Sequence, residues 1–438
     1  MLKDDRDRIL IGWASAEITP DVPCRMGGYA ARSEPADAIY DPLYAHAIAF
    51  GTQSQPFVVI ICDLLSVDGQ LVEVVRSQLR TTYPGLTLWL GATHTHSGPA
   101  VHSIPGLPEE PVPQNLEHII EGAAEAATEA IKRMRPMLAT WVSGATSGIV
   151  TNRDHPHSGE NTDLDLLCFY NVASRDALER GLIDGNLSSK PEAIVASFPC
   201  HPTVLSAENT KISADLPGAF RRHLRNQLGG ECWIMHTTGA AGDMSTRHTR
   251  QGQGIPELER LGNLLAQRAY QLIPQARLLT LGPPLTKQGS IKLQAKEPPD
   301  LNHLSRQEQT LQAQLTSELQ QGNVAQARTI QTTLQGLQLI RERALAADEV
   351  ELNAEIAVAS LGELKLAAIP GELYNSLGIK IKQAAQHPVL LYGYTNGYLG
   401  YFPSQEAYTE MDYEVLMSPF AQGTAESLTE AVYTMFAQ

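Results

Sequence analysis

The sequence predicts an α/β fold: a mixed β-sheet core flanked by helices, with a metal site at the carboxyl ends of strands and an inserted αα-hairpin. Three observations lead there. Apolar, β-branched runs recur along the chain, segments of helical period lie between several of them, and the runs end repeatedly in a polar or metal-capable side chain. Of 438 residues 43% are hydrophobic and only 18% charged, which provides for a sizeable core and argues against disorder.

In chain order, residues 57–62 read as a strand running into Asp63, 67–79 as a helix, and 86–90 as a strand leading to His94 and His96. Leu116, Ile119, Ile120, Ala123, Ala127 and Ile131 then fall at helical spacing. Strands at 193–198 and 232–235 lead to His201 and Asp243, and a helix is expected over 258–273. The strand at 364–369 reaches Glu372, which opens a helix over 373–385; the strand at 389–392 leads to Tyr398 and Tyr401, and a last helix covers 424–436. Loops are polar in any case, but His, Glu and Tyr are not the default turn residues, and open α/β sheets bind ligands at the carboxyl ends of their strands.

Residues 301–345 break this pattern. Leu304, Leu311, Leu315 and Leu319, then Ile330, Leu334 and Leu337, lie at helical spacing on either side of Gly322-Asn323, after Pro298-Pro299. This predicts a helical hairpin, a solvated spacer or dimerisation arm, inserted into a single domain over 1–438. The net charge of −15 removes the field that would gather nucleic acid or an anionic bilayer. Five cysteines without CxxC spacing do not make a disulfide framework. The charged opening MLKDDRDRILIGW lacks the apolar stretch of a signal peptide, and no run is long enough to span a membrane. A cytoplasmic protein without integral membrane association is expected, with homo-oligomerisation open.

The sharpest chemical signal is Gly91-Ala-Thr-His94-Thr-His96-Ser-Gly-Pro99. Histidines at i and i+2 of a strand point to opposite faces, but past its end the chain can turn, so that one imidazole binds a metal and the other faces a substrate. Such pairs also cap strands or bond core carbonyls. His201 and Glu372 add the donor types of hydrolytic metal sites, although each also reads as a core histidine or a helix-start carboxylate.

With ThrHisThrHisSerGlyPro, His201-Pro, GlyAspMetSer at 242–245, IleProGlyGlu at 369–372 and AsnGlyTyrLeuGlyTyr ending at Tyr401, the chain resembles the catalytic domain of the neutral, alkaline, non-lysosomal ceramidases. AlaGluIleThrPro at 16–20, MetGlyGlyTyr at 26–29 and AspProLeuTyrAlaHis from 41 fit as well, so motif order holds over nearly the whole chain. The resemblance implies a zinc amidohydrolase in lipid metabolism, cleaving an N-acyl compound through a zinc-activated water. Its implied Zn2+ ligands are His94, His201, Glu372 and Tyr401. His96 falls on the general base, Arg153 and Tyr413 on residues that hold or polarise the amide, and Ser245 on a serine expected to support the site rather than act as nucleophile.

Thr246 replaces the proline expected after GlyAspXaaSer, and Ala100-Val101-His102 replaces Gly-Gly-Tyr after SerGlyPro. The chain also reads as a short homologue without the leader and C-terminal β-sandwich of secreted members. The expected substrate is therefore a smaller or more polar N-acyl compound than ceramide. An esterase or lactonase would use the same tetrahedral chemistry. A catalytically silent zinc scaffold would have no use for His96 and Arg153.

Overall fold

The strand Pro56–Cys62 is buried along its whole length because both of its faces are covered. Val58, Ile60 and Cys62 enter one core while Phe57, Val59 and Ile61 enter another, the two-residue alternation of a strand between two layers. The computed structural model describes residues 9–102, 113–159, 162–184, 189–297, 300–323, 352–410 and 412–437, with 327, 330, 331, 333, 334, 336–338, 340 and 341.

Pro56–Cys62 belongs to a nine-stranded mixed sheet in the order Trp233–Thr237, Ala193–Ser197, Asp163–Asn171, Arg135–Ala145, Leu10–Glu17, Tyr44–Gly51, Pro56–Cys62, Thr87–Ala92; Arg277–Leu279 pairs beside Arg135–Ala145. The parallel pairs are Pro56–Cys62 with Thr87–Ala92 and Ala193–Ser197 with Trp233–Thr237, and these four strands end toward the candidate site. A second, four-stranded sheet runs Leu285–Lys292, Asn353–Leu361, Leu364–Ala368, Val389–Tyr392.

The two sheets pack face to face. Phe50, Phe57, Trp89 and Phe169 of the first meet Leu364, Leu366, Leu390 and Tyr392 of the second, with the Trp89 and Tyr392 rings edge to face at 6.1 Å. Helices Gly69–Arg80 and Pro113–Lys132 cover one half of the large sheet's outer face, and Asp215–Gln227 and Ile255–Leu272 the other. Asn375–Ala385 and Thr424–Ala437 cover the second sheet. The expected mixed sheet flanked by helices is thus present, with a second sheet stacked inside it.

The two sheets are also joined at one end. Gly91 bridges Thr395, the amide of Ala92 donates to the Tyr394 carbonyl, and that of Asn396 to the Leu90 carbonyl at 2.8 Å. Residues following strands of both sheets are thereby brought to one place.

The inserted segment begins with helix Leu301–Gln320, capped by the Asp300 side chain, and turns at Gly322. Arg341 returns to pair with Glu308 and to donate to Ser305. Lys292 and Asn353 on either side of the insertion are directly paired, so the segment leaves and re-enters the sheet at one point. Residues 324–326, 328, 329, 332, 335, 339 and 342–345 of the predicted hairpin lie outside the described residues. All five cysteines are free and buried, and among the described residues no helix is long and apolar enough to cross a membrane.

Candidate active site

His94 follows strand Thr87–Ala92 and adopts φ 66°, the left-handed region that costs a residue with a Cβ. This is the turn the HxH pair requires. It puts both imidazoles on the same side, rings perpendicular with centroids 4.9 Å apart and Nε2 atoms 3.4 Å apart. His201 follows strand Ala193–Ser197 and is held by its amide on the Met244 carbonyl at 2.9 Å. The histidine ligand atoms of His94, His96 and His201 all lie within 4.8 Å of one another. Glu372 comes from the second sheet, beyond strand Leu364–Ala368, and its Oε2 lies 2.9 Å from His201 Nε2 and 3.4 Å from His94 Nε2.

Hydrogen bonds decide the tautomers of two of these rings. A carbonyl oxygen can only accept, so His94 Nδ1 carries the proton it gives to the Leu65 carbonyl, and His201 Nδ1 the one it gives to Ala241, both at 2.7 Å. Burial pushes His201 down to about 4, with the Arg153 charge in the same direction and the pull of Glu372 insufficient to reverse it. Neutral His201 therefore presents a lone pair from Nε2 to a carboxylate oxygen. Both atoms are buried and without another hydrogen-bond partner. Two lone pairs at 2.9 Å repel unless a cation lies between them, and imidazole nitrogen with carboxylate oxygen is the donor set of zinc and its first-row neighbours. The residues fit a metal ion.

His96 differs from the other two histidines. Its Nδ1 has no partner, and it is half-buried rather than enclosed. Burial first, then His94 and His201, hold its pKa well below the usual histidine value. Its ring rests against Tyr29 at 4.8 Å, and a Cβ on Gly28 would come within 2.5 Å of Nδ1, so glycine at φ 107° is required there.

Tyr401 pairs with Glu372 in a short parallel bridge, and its ring lies parallel to His201 at 6.3 Å. Burial raises its pKa well above the ordinary tyrosine value, Glu372 adding to the effect and Arg153 opposing it. Arg153 is buried, stands 5.6 Å over the Tyr401 ring, donates to the Gly242 carbonyl at 2.8 Å and pairs with buried Glu414. Its Nε has no partner, which leaves one donor available. Tyr413 stands edge-on to Tyr401 at 6.1 Å, and burial pushes its hydroxyl up to about 12, keeping it a donor at neutral pH. Ser245 is bridged to His201 through the backbone, and its Oγ accepts from the Arg247 amide at 3.2 Å.

Three further contacts were not anticipated. Tyr398 donates to Glu372 Oε1 at 2.5 Å, which leaves Oε2 alone to face the histidines. Tyr394 stacks on His94 at 4.1 Å and is fully buried. Asp243 accepts from the Asn375 amide at 2.8 Å and from Asn152 at 2.9 Å, tying the segments that carry Glu372 and Arg153 together. Tyrosines crowded after residue 392 were the only sequence signal for the first two.

The fold and this cluster define an α/β sandwich with a candidate histidine–carboxylate metal centre. Residues 9–239 match the family model described as neutral/alkaline non-lysosomal ceramidase, N-terminal, and the chain belongs to that family. Its fold is similar to the crystal structure of neutral ceramidase from Pseudomonas aeruginosa, with a TM-score of 0.74 and 19% identity over 99% of this chain and 74% of that one. A ceramidase complexed with C2 gives a TM-score of 0.73 and 17% identity over 98% and 75%. No curated protein matches the sequence.

Proposed function

We propose that the protein is a zinc-dependent amidohydrolase acting on a linear N-acyl compound. The observation that carries this reading is the facing pair His201 Nε2 and Glu372 Oε2, 2.9 Å apart and otherwise unpartnered in a family of ceramidases. His94, His201, Glu372 and Tyr401 would hold the metal. The chemistry zinc supplies at such a donor set is Lewis acidity, which makes water nucleophilic near neutral pH and polarises a carbonyl.

The chain's own residues do the rest. The carbonyls of Leu65 and Ala241 keep His94 and His201 in one tautomer and orientation. His96, whose Nδ1 is not tied to a carbonyl, takes the proton of the attacking water and returns it to the leaving amine. Arg153 Nε and the Tyr413 hydroxyl donate to the carbonyl oxygen as negative charge builds on it. Ser245 supports His201 through the backbone. Altered residues Ala100-Val101-His102 and the net charge of −15 favour a substrate smaller or more polar than a bilayer ceramide.

The test is hydrolysis of paired N-acyl amides and the corresponding esters by protein purified without added metal, before and after chelation. Chelator-sensitive amide cleavage restored by zinc is expected. Cleavage of the ester alone would move the assignment to an esterase, and activity indifferent to chelation would remove the metal from the mechanism.

A further inference from the structure

The hairpin between Lys292 and Asn353 does not stand clear of the candidate site. Its second helical stretch brings Gly336, which is buried, against the short helix Tyr413–Met417. A Cβ at Gly336 would lie 3.3 Å from Met417 Sδ and 3.9 Å from Tyr413 Cε2. Glycine is a poor helix former, and this buried one leaves room for the Met417 and Tyr413 side chains against the helix that carries it. The base of the hairpin grips the same helix independently. Lys296 donates through its side chain to the Val415 carbonyl and through its amide to Pro419, and the amide of Ala421 returns to Gln294. From Tyr413 the contacts continue inward, edge-on to Tyr401 and from Tyr401 face to face with His201.

We propose that the insertion, through its base at Gln294 and Lys296 and through Gly336, braces one wall of the substrate site, with Gly336 a positioning residue that sets where the Tyr413 ring stands and hence how long an acyl group fits beside it. This rests on the proposed role of Tyr413 at the reacting carbonyl. A larger side chain at 336 would drive the Tyr413–Met417 helix inward and shorten the space. Alanine there would be absorbed, because the nearest atom is the end of a flexible methionine.

The experiment compares parent, Gly336→Ala, Gly336→Leu and Gly336→Leu combined with Met417→Ala, using metal content, kcat and KM for a short and a long N-acyl amide, and calorimetric binding of a short and a long fatty acid. Gly336→Leu should keep its metal and lose about tenfold in kcat/KM for the long substrate relative to the short one, chiefly through KM. Met417→Ala in that background should restore most of the loss by making room, and Gly336→Ala should resemble the parent. An unchanged long-to-short ratio in a folded, metal-loaded Gly336→Leu protein would overturn the proposal, as would failure of the second substitution to restore it. The binding arm separates the two readings. If the parent hydrolyses no amide, the proposed function fails, while a changed chain-length preference in fatty-acid binding still supports the wall and an unchanged one rejects it. If Gly336→Leu does not fold, Met417→Ala alone carries the comparison: it loosens the same contact from the other side and should raise the long-to-short ratio, and an unchanged ratio there would overturn the proposal.

Discussion

Asp63 and Glu372 are both carboxylates at strand ends and both buried, at 0% and 1% exposure, yet the fold treats them in opposite ways. Asp63 is balanced within the chain. Arg221 donates to both of its oxygens, at 2.9 and 2.6 Å, and the Tyr44 amide adds a third bond at 3.0 Å. Burial is the largest single influence and would raise its pKa, but Arg221 and the nearby His46 together outweigh it and take it down to about 2. Glu372 receives one hydrogen bond from a neutral phenol on Oε1, and its Oε2 faces the lone pair of neutral His201 at 2.9 Å and His94 Nε2 at 3.4 Å. Burying a charge is costly unless it is paired. A carboxylate whose pairing is completed by protein is part of the scaffold; one whose pairing stops short is a place prepared for something from outside.

The largest expected effects test that contrast directly. Glu372→Gln and His201→Ala should each lose the metal and about 10³-fold or more in kcat/KM while remaining folded, since they relieve a site that lacks its own counter-charge. Asp63→Asn should do the reverse. It strands the Arg221 charge and should destabilise the fold by about 3–5 kcal/mol, with metal per folded molecule unchanged. Metal analysis beside urea denaturation reads both. A Glu372→Gln protein that keeps its metal, or an Asp63→Asn protein as stable as the parent, would show that buried charge does not sort the two sites in this way.

A smaller effect separates the histidines within the cluster. His94 and His201 are each locked by a carbonyl at Nδ1, whereas His96 Nδ1 is unpartnered, so the first two suit ligands and the third a group that changes protonation during turnover. His96→Ala is expected to retain metal and lose about 10²-fold in kcat. Loss of the metal with unchanged turnover per bound ion would make His96 a ligand.

How much of this the sequence reveals follows from what pattern reading measures. Periodicity located the apolar strand 57–62 and three of the four helices on the large sheet's outer face, because long apolar side chains mark what a segment packs against, but it missed Asp215–Gln227. It passed over Tyr44–Gly51 and Asn353–Leu361, whose many alanines fit a strand pressed between close neighbours but carry little β signal of their own. Without them the two stacked sheets read as one. His94, His201 and Glu372 were legible as donors because their chemistry is written in residue type. The left-handed backbone at His94, the Tyr394 ring beneath it and the Tyr398 bond to Glu372 were not, since each depends on which strand end meets which across the two sheets. The hairpin was legible as helices; that Gly336 reaches Tyr413 was not, because a glycine in a polar helix looks the same whether it faces solvent or a neighbouring side chain.

The smallest expected effect concerns the scaffold network around Asp63. His46 Nε2 lies 3.8 Å from Asp63, too far for a hydrogen bond, and its Nδ1 meets Ser15 Oγ at 2.7 Å. Burial, helped by the Arg221 charge, lowers its pKa to about 4 despite the attraction of Asp63, so the ring is neutral in the folded protein at neutral pH. The unfolded chain protonates near the ordinary value of 6.5. Between these two values the unfolded state binds more protons, so the contribution of His46 is fully present above 6.5 and is lost as pH falls toward 4. His236, lowered to about 3 by burial and by Arg221, acts in the same direction. Asp215 opposes them: burial raises it to about 6, so between 6 and 3.8 the folded state binds more protons and gains stability as pH falls. His46→Gln should therefore remove about 1.4 kcal/mol per pH unit from the slope of unfolding free energy across the middle of the His46 window, leaving the Asp215 contribution of opposite sign in place. Urea denaturation of parent and variant at several pH values between 4 and 7 measures the difference, and parallel curves would mean that His46 is charged in the folded protein, with Asp63 shared between two cations rather than held by one.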